Sequence, residues 1–191
     1  GEDTLSLHDA LPIYFLQCFR EMGLFGLIIP AEYGGIGLSN SGYVQMMAEM
    51  SMVDASICTM IGGHQSIGCK ALLLFGTDAQ KQRYLPQLAS GEMIAAFGLT
   101  EPEAGSDAGS LKTTATLDPS GQFYLLNGSK MWITNGGIAS FYTVLPRPTT
   151  PSGPKGNATA SPPSSSRAGW KVFVTVQRKR NSACGAAPPP P

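Results

Sequence analysis

Apolar side chains recur at helical spacing through residues 14–92. A first helix is predicted from residue 14 to Pro30, because proline cannot continue a helix. Its apolar stripe consists of Phe15, Phe19, Met22 and Phe25. A second helix is predicted over residues 41–53. Either Ser39 or Asn40 can cap it, because their side-chain oxygens accept hydrogen bonds from the free N–H groups of a first turn.

A third and a fourth helix follow before the pattern changes. The third is predicted over residues 57–74, with Asp54 or Ser56 as its cap. It is apolar on nearly every side, which indicates burial. Thr77 then caps a short charged helix that Pro86 is expected to interrupt. These helices predict an all-helical, bundle-like domain.

The periodicity then becomes that of strands. Apolar runs of strand length occur in AAFGLT, TTATLD, QFYLLNG, KMWIT and FYTVL. Pro119-Ser120-Gly121 predicts a hairpin between the second and third runs, and Asn127-Gly128 predicts a turn before the fourth. The runs predict an antiparallel β segment that is too short to close a barrel. The expected fold class is therefore α+β, with a helical domain followed by the first strands of an incomplete antiparallel β domain.

The two ends of the chain differ in composition from the rest. Residues 1–13 contain TLSLHDALPI, which resembles a translated sequencing adapter, so we treat them as a non-native leader; a natural helix start is the alternative. After Leu145 the chain is rich in Pro, Ser, Gly and Thr. We therefore predict that residues 146–191 are a disordered tail translated out of frame. The predicted domains between them are 14–92, helical, and 93–145, a partial β domain.

Composition narrows the kinds of partner. The 191-residue chain has 13 Lys and Arg against 13 Asp and Glu, and no basic patch favours nucleic acid. The cysteines, at Cys18, Cys58, Cys69 and Cys184, lack CxxC spacing and an accompanying histidine cluster. We therefore expect buried thiols of a reducing compartment, with no metal site and no disulfide framework. No apolar run is long enough to span a membrane.

Two segments, TEPEAGSD and MWITNGG, carry the candidate chemistry. The first supplies hydroxyls at Thr100 and Ser106, and N–H groups around Gly105 that can face an anion or a carbonyl. The second supplies an aromatic face from Trp132 and a hydroxyl from Thr134, on a predicted strand. A flavin site needs such donors and a surface against the ring. Taken separately, the first segment fits a polar loop equally well, and the second fits a core tryptophan better.

Together, in order and spacing, the two segments resemble the flavin-contacting part of the acyl-CoA dehydrogenase family. GGHQSIGCKALLLFGTDAQKQRYLPQLASGE and IIPAEYGGIGLS are similar to strings of the family's helical domain, and HQSIG with NGSKMWITNGG looks most like the very-long-chain, mitochondrial branch. The resemblance covers residues 15–145. It implies an FAD site formed by Phe97, Leu99, Thr100, Gly105, Ser106, Trp132, Ile133 and Thr134. It also implies that Ser106 contacts the acyl-CoA and that Thr134 hydrogen-bonds the flavin ring.

The resemblance implies α,β-dehydrogenation of a fatty acyl-CoA in fatty acid β-oxidation. Intact members of this kind are homo-oligomers that pass electrons to an electron-transfer flavoprotein. The family's catalytic Glu belongs to a C-terminal domain, and Glu92, Glu101 and Glu103 do not match it, so we assign no catalytic residue and expect a fragment that is inactive alone. His64 is assigned a structural role. The alternatives are an acyl-CoA oxidase or other sister activity, or a non-catalytic interaction or assembly protein of the same fold.

Overall fold

The computed structural model describes residues 7–120 and 124–147. The helical elements are α1 (Leu7–Glu21), α2 (Asn40–Val53), α3 (Ala55–Gly62), a π-helical stretch that we call the π segment (Gly63–Cys69), α4 (Lys70–Phe75) and α5 (Asp78–Ala89). The strands are β1 (Ala95–Gly98), β2 (Thr114–Leu117), β3 (Tyr124–Asn127) and β4 (Phe141–Val144). A helical part followed by a few strands confirms the α+β class. None of the described helices is long and apolar enough to cross a bilayer.

The first helix ends earlier than predicted. α1 stops at Glu21 and does not run to Pro30, because Gly23 adopts a left-handed conformation with φ 72°. Glycine reaches this conformation without a steric penalty, and it commonly ends helices. At its other end α1 begins at Leu7, so the helix crosses the boundary drawn after residue 13. The origin of the first thirteen residues stays a prediction.

The caps of the next two helices are among those predicted. Ser39 Oγ accepts from the Gly42 N–H at 3.2 Å, and Asp54 Oδ1 accepts from the Ser56 N–H at 2.7 Å. The predicted helix over residues 57–74 is present as α3, the π segment and α4 in succession. Its expected burial is wrong at two of its apolar positions, because only part of its surface packs against β1 and α5. The exposed apolar residues are Ile67 and Leu74, at 43% and 60%.

The last helix starts as predicted but is not interrupted. Thr77 and Gln80 form a reciprocal capping box, in which the Thr77 N–H donates to Gln80 Oε1 at 2.9 Å and the Gln80 N–H donates to Thr77 Oγ1 at 3.3 Å. Pro86 lies inside α5, and the predicted interruption is wrong. Proline removes one helical hydrogen bond, but Leu85 and Leu88 are fully buried on either side of it. Their packing against the core offsets that loss.

The strands form two separate pairs. β2 and β3 are antiparallel, with Thr114 opposite Asn127, which confirms the predicted hairpin; residues 121–123 of its turn lie outside the described residues. β1 and β4 are parallel, with Ala95 opposite Phe141, so the antiparallel prediction is wrong for this pair. The connection between β1 and β4 contains the whole hairpin. It is therefore long enough to return the chain to the same end of the sheet.

The predicted strand KMWIT is not a strand. Residues 130–133 have no regular structure, and a turn covers residues 134–138. Trp132 and Asn135 have φ angles of 55° and 65°, in the left-handed region. An extended strand does not accommodate such residues, so the short apolar run in this stretch misled the prediction.

A buried histidine joins the helices to the sheet. His64 Nδ1 accepts from the Ala95 N–H of β1 at 2.9 Å, so Nε2 carries the proton. Nε2 lies 3.2 Å from the Phe25 carbonyl oxygen and 3.1 Å from that of Leu88. Burial lowers the pKa of His64 to about 4, so the ring is neutral at pH 7. The structural role predicted for His64 is confirmed.

Gln65, the next residue of the HQSIG string, is also fully buried. Its Oε1 accepts from the Ile28 N–H at 2.9 Å, and its Nε2 donates to the Leu24 carbonyl oxygen at 2.6 Å. The turn of chain that follows α1 is thereby attached to the π segment. The two polar neighbours lie in the π segment and both reach into the core. Two of the carbonyl oxygens that they bind belong to a short 3-10 turn, Leu24–Gly26, which leaves these groups without a helical partner.

Candidate functional site

The two candidate segments lie side by side at the end of β1. The Met131 N–H donates to the Thr100 carbonyl oxygen at 2.9 Å. Lys130 Nζ donates to the Leu99 carbonyl oxygen at 2.7 Å and to Glu101 Oε1 at 2.8 Å. We call residues 131–138 the Trp132 loop. The structure thus brings TEPEAGSD and MWITNGG together, as a single flavin site formed by both segments would require.

The ion pair between Glu101 and Lys130 is buried, with side-chain exposures of 4% and 9%. Glu101 also accepts from the N–H groups of Lys112 at 2.6 Å and Thr113 at 3.0 Å. Burial alone would raise the pKa of Glu101, but the hydrogen bond from Lys130 and those from the backbone lower it to about 2. Sequence reasoning dismissed Glu101 as a base and gave Lys130 no role. Nothing in the sequence pairs these two charges, which are far apart along the chain.

The first candidate segment forms a tight turn after β1. Phe97 lies half-buried in β1, opposite Thr143 of β4, and Leu99 and Thr100 follow it, also half-buried. The Glu101 N–H donates to the Ala104 carbonyl oxygen at 2.7 Å, which reverses the chain direction. This reversal brings Gly105 close to Thr100. A Cβ built on Gly105 would lie 3.5 Å from Thr100 Cγ2. Ser106, the residue predicted to contact the substrate, is exposed beyond the turn.

Trp132 is neither on a strand nor in the core. Its side chain is 83% exposed, and its backbone is in the left-handed region. The neighbouring Ile133 points the other way and is half-buried, with its Cδ1 only 3.7 Å from a Cβ built on Gly98 at the end of β1. Ile133 therefore anchors this part of the loop and leaves the indole presented to solvent.

Thr134 and Asn135 pack against the helices. A Cβ built on Gly63 of the π segment would lie 2.7 Å from Thr134 Cγ2. Asn135 Nδ2 donates to the Met60 carbonyl oxygen in α3 at 2.9 Å and to the Ala95 carbonyl oxygen in β1 at 3.2 Å. Sequence reasoning missed Asn135. Asparagine before glycine suggests a left-handed turn, which was a usable signal, but its two distant partners could not be read from the sequence.

Adjacent glycines provide a test of the contact at Thr134. Gly62→Ala should raise the free energy of unfolding by up to about 1 kcal/mol, because alanine favours helix and its Cβ would meet Met47 Cε at an ordinary 3.5 Å. Gly63→Ala should lower it by about 1–3 kcal/mol, because its Cβ would overlap Thr134. Urea unfolding followed by circular dichroism measures both. Equal effects at the two positions would contradict the packing of the Trp132 loop on the π segment.

Comparison with known proteins identifies the scaffold. The sequence profile described as "Acyl-CoA dehydrogenase, N-terminal domain" matches residues 4–92, and that described as "Acyl-CoA dehydrogenase, middle domain" matches residues 96–180. The two matches together span most of the chain, and they meet at the start of β1, where the helical part gives way to the strands.

Individual relatives agree with the profiles. The human very long-chain specific acyl-CoA dehydrogenase, mitochondrial, is 54% identical over 129 residues, which are 68% of this chain and 20% of that protein. An acyl-CoA dehydrogenase from Bacillus anthracis, solved with FAD, superposes with a TM-score of 0.66 at 42% identity over 70% of this chain and 23% of its own. Butyryl-CoA dehydrogenase from Megasphaera elsdenii gives 0.65 at 35% identity over 75% of this chain and 37% of its own. This chain spans about a fifth of the length of its curated very long-chain relatives, and it belongs to the acyl-CoA dehydrogenase family.

Proposed function

We propose that this chain binds FAD between the TEPEAGSD turn and the Trp132 loop. The observation that carries the proposal is Trp132 itself. A large residue with φ 55° carries about 1–2 kcal/mol of backbone strain, and an indole that is 83% exposed gains little from packing. The strain lowers the stability of the free chain, and the exposed indole adds little to it. Both are accounted for if the indole is held out to contact a large planar ligand.

The residues around Trp132 fit an isoalloxazine ring. Thr100 and Thr134 offer hydroxyl groups, and the turn at Gly105 offers backbone N–H groups with little side-chain bulk around them. The half-buried Phe97, Leu99 and Ile133 would supply apolar contacts to the ring, and the exposed Ser106 would meet the incoming acyl-CoA. Bound FAD would supply a hydride acceptor for the β-carbon of that substrate.

Substitutions at Trp132 separate its backbone cost from its ligand contact. Trp132→Gly should raise the free energy of unfolding by about 1 kcal/mol, because glycine adopts φ 55° without strain. The same change should weaken FAD binding about tenfold or more, because the aromatic face is lost. Trp132→Phe is the matched control, since it keeps both the strain and an aromatic ring. Quenching of flavin fluorescence measures affinity, and undiminished affinity in Trp132→Gly would refute the proposed contact.

Glu92, Glu101 and Glu103 are not placed to act as the catalytic base. Glu101 is buried in its ion pair, and its pKa of about 2 makes it a poor proton acceptor. Glu103 is exposed and paired with Lys112 at 2.9 Å, and Glu92 is exposed. We therefore propose that this chain alone holds the flavin but does not oxidise acyl-CoA. An assay of dye reduction with long-chain acyl-CoA and added FAD tests this, and turnover would overturn it.

For the intact protein we propose α,β-dehydrogenation of a fatty acyl-CoA in β-oxidation. The likeness to the human enzyme supports a long-chain substrate and a mitochondrial location, and an electron-transfer flavoprotein would then accept the electrons. Subunits of the intact protein would assemble as a homo-oligomer. An acyl-CoA oxidase is the competing activity on this scaffold. Measuring peroxide formation against dye reduction by the intact protein distinguishes the two, because only an oxidase passes its electrons to oxygen.

A further inference from the structure

The Trp132 loop is attached to the rest of the chain by polar contacts at two places, one where the loop begins and one within it. At its start, Lys130 Nζ binds the Leu99 carbonyl oxygen and Glu101, and the Met131 N–H binds the Thr100 carbonyl oxygen. Glu101 in turn accepts two N–H groups of the chain that leads into β2. The first attachment therefore joins the loop to the TEPEAGSD turn at several points.

The second attachment is the side chain of Asn135. Its Nδ2 reaches the carbonyl oxygens of Met60, where α3 passes into the π segment, and of Ala95 in β1. The N–H of that same Ala95 binds His64. Asn135 also closes the turn through its own carbonyl oxygen, which accepts from the Ile138 N–H at 3.0 Å. Its φ of 65° is one that asparagine tolerates better than most residues, so the position suits both the backbone and the contacts.

We propose that Asn135 is a positioning residue for the flavin, which fixes the Trp132 loop in its left-handed form before any ligand binds. The inference rests on the proposed function, because only a ligand makes the position of Trp132 and Thr134 matter. A loop that is ordered in advance does not have to be ordered during binding, so the contacts of Trp132 and Thr134 contribute more of their energy to affinity.

Asn135 offers a matched pair of substitutions in the full 191-residue chain. Asn135→Gly keeps the left-handed backbone accessible and removes the two contacts. Asn135→Asp keeps the shape but directs a carboxylate at two carbonyl oxygens, which repel it. Gly137→Ala is the control within the loop, because nothing lies within 4 Å of its added Cβ.

Hydrogen exchange measured by NMR tests the positioning itself, without any ligand. In Asn135→Gly the Gly136, Ile138 and Ala139 amides, whose hydrogen bonds close the loop, should exchange about tenfold faster or more. Asn135→Asp should accelerate them further. The Ile28 amide, which binds Gln65 far from the loop, should exchange at an unchanged rate. Unchanged exchange rates of the loop amides would overturn the proposal. An equal acceleration at Ile28 would also overturn it, because the substitution would then have loosened the whole fold and not the loop.

Titration with FAD supplies the second measurement. Affinity should fall about tenfold in Asn135→Gly, fall further in Asn135→Asp, and stay near that of the unaltered chain in Gly137→Ala. Retained affinity in a loosened Asn135→Gly loop would refute the positioning role. If the unaltered chain binds no FAD, the proposed function fails, and hydrogen exchange still decides separately whether Asn135 fixes the loop.

Discussion

Replacing Lys130 by methionine should lower the free energy of unfolding by about 3–5 kcal/mol at pH 7. The substitution keeps the length of the side chain but leaves the Glu101 carboxylate buried at 4% exposure without its cation. The Leu99 carbonyl oxygen loses its 2.7 Å partner in the same step. Urea unfolding at several pH values measures the change.

The pH dependence identifies the cause of this loss. The pKa of Glu101 is about 2 in the folded chain against an ordinary 4.5, so its stabilising contribution is fully present above pH 4.5 and disappears as the pH falls toward 2. The gap between Lys130→Met and the unaltered chain should therefore narrow below pH 4.5. Lys112→Met is the control, because its ion pair with Glu103 is exposed and its loss should cost less than about 1 kcal/mol. A pH-independent gap would mean that lost packing, and not an unpaired charge, causes the destabilisation.

Replacing His64 by leucine should cost about 2–4 kcal/mol at pH 7, because the Ala95 N–H and two carbonyl oxygens lose their buried partner. The cost should also fall as the pH falls, but over a higher pH range than the cost of Lys130→Met. The pKa of His64 falls from 6.5 to about 4 on folding. Between pH 6.5 and pH 4 the unfolded chain therefore binds a proton at His64 that the folded chain does not bind. The unaltered chain therefore loses about 3 kcal/mol as the pH drops from 6.5 to 4. Leucine does not titrate, so the gap should shrink over that range.

Gln65→Leu is the matched control for the histidine. Gln65 is equally buried and also binds two backbone groups, but its amide carries no titratable proton. Its substitution should cost a similar amount at every pH between 4 and 7. If the His64→Leu gap is just as constant, His64 does not hold the low pKa that its burial implies.

Local chemistry made the helical part largely predictable. Capping information is carried by a residue's own side chain, so the sequence identified Thr77 directly and narrowed the other two caps to pairs of neighbours that include Ser39 and Asp54. The errors occurred where distant contacts override local preference. Pro86 stays inside a helix because of what Leu85 and Leu88 bury, and the parallel pairing of β1 with β4 depends on the path of the whole connection between them.

In the candidate site, too, features set by local sequence could be predicted and features set by distant contacts could not. The Gly- and hydroxyl-containing segments could be located because glycine, proline and asparagine signal turns. The conformation of Trp132 could not, because a short apolar run predicts a strand whether or not its backbone is extended. Glu101, Lys130 and Asn135 were missed for a related reason. Each is a common polar residue in sequence and becomes significant only through a partner on another element.

The parallel pairing of β1 with β4 has a consequence for the order in which the molecule folds. Pairing Ala95 with Phe141 closes a long loop of chain, and the entropy of that closure must be overcome before the contact contributes any stability. The helices and the β2–β3 hairpin can form from local contacts alone. The Trp132 loop lies directly before β4, so its geometry depends on the pairing of β4 with β1, which is the slowest of these steps. A chain that is still being synthesised, or one that refolds from denaturant, should acquire its helical signal well before it acquires any affinity for a flavin.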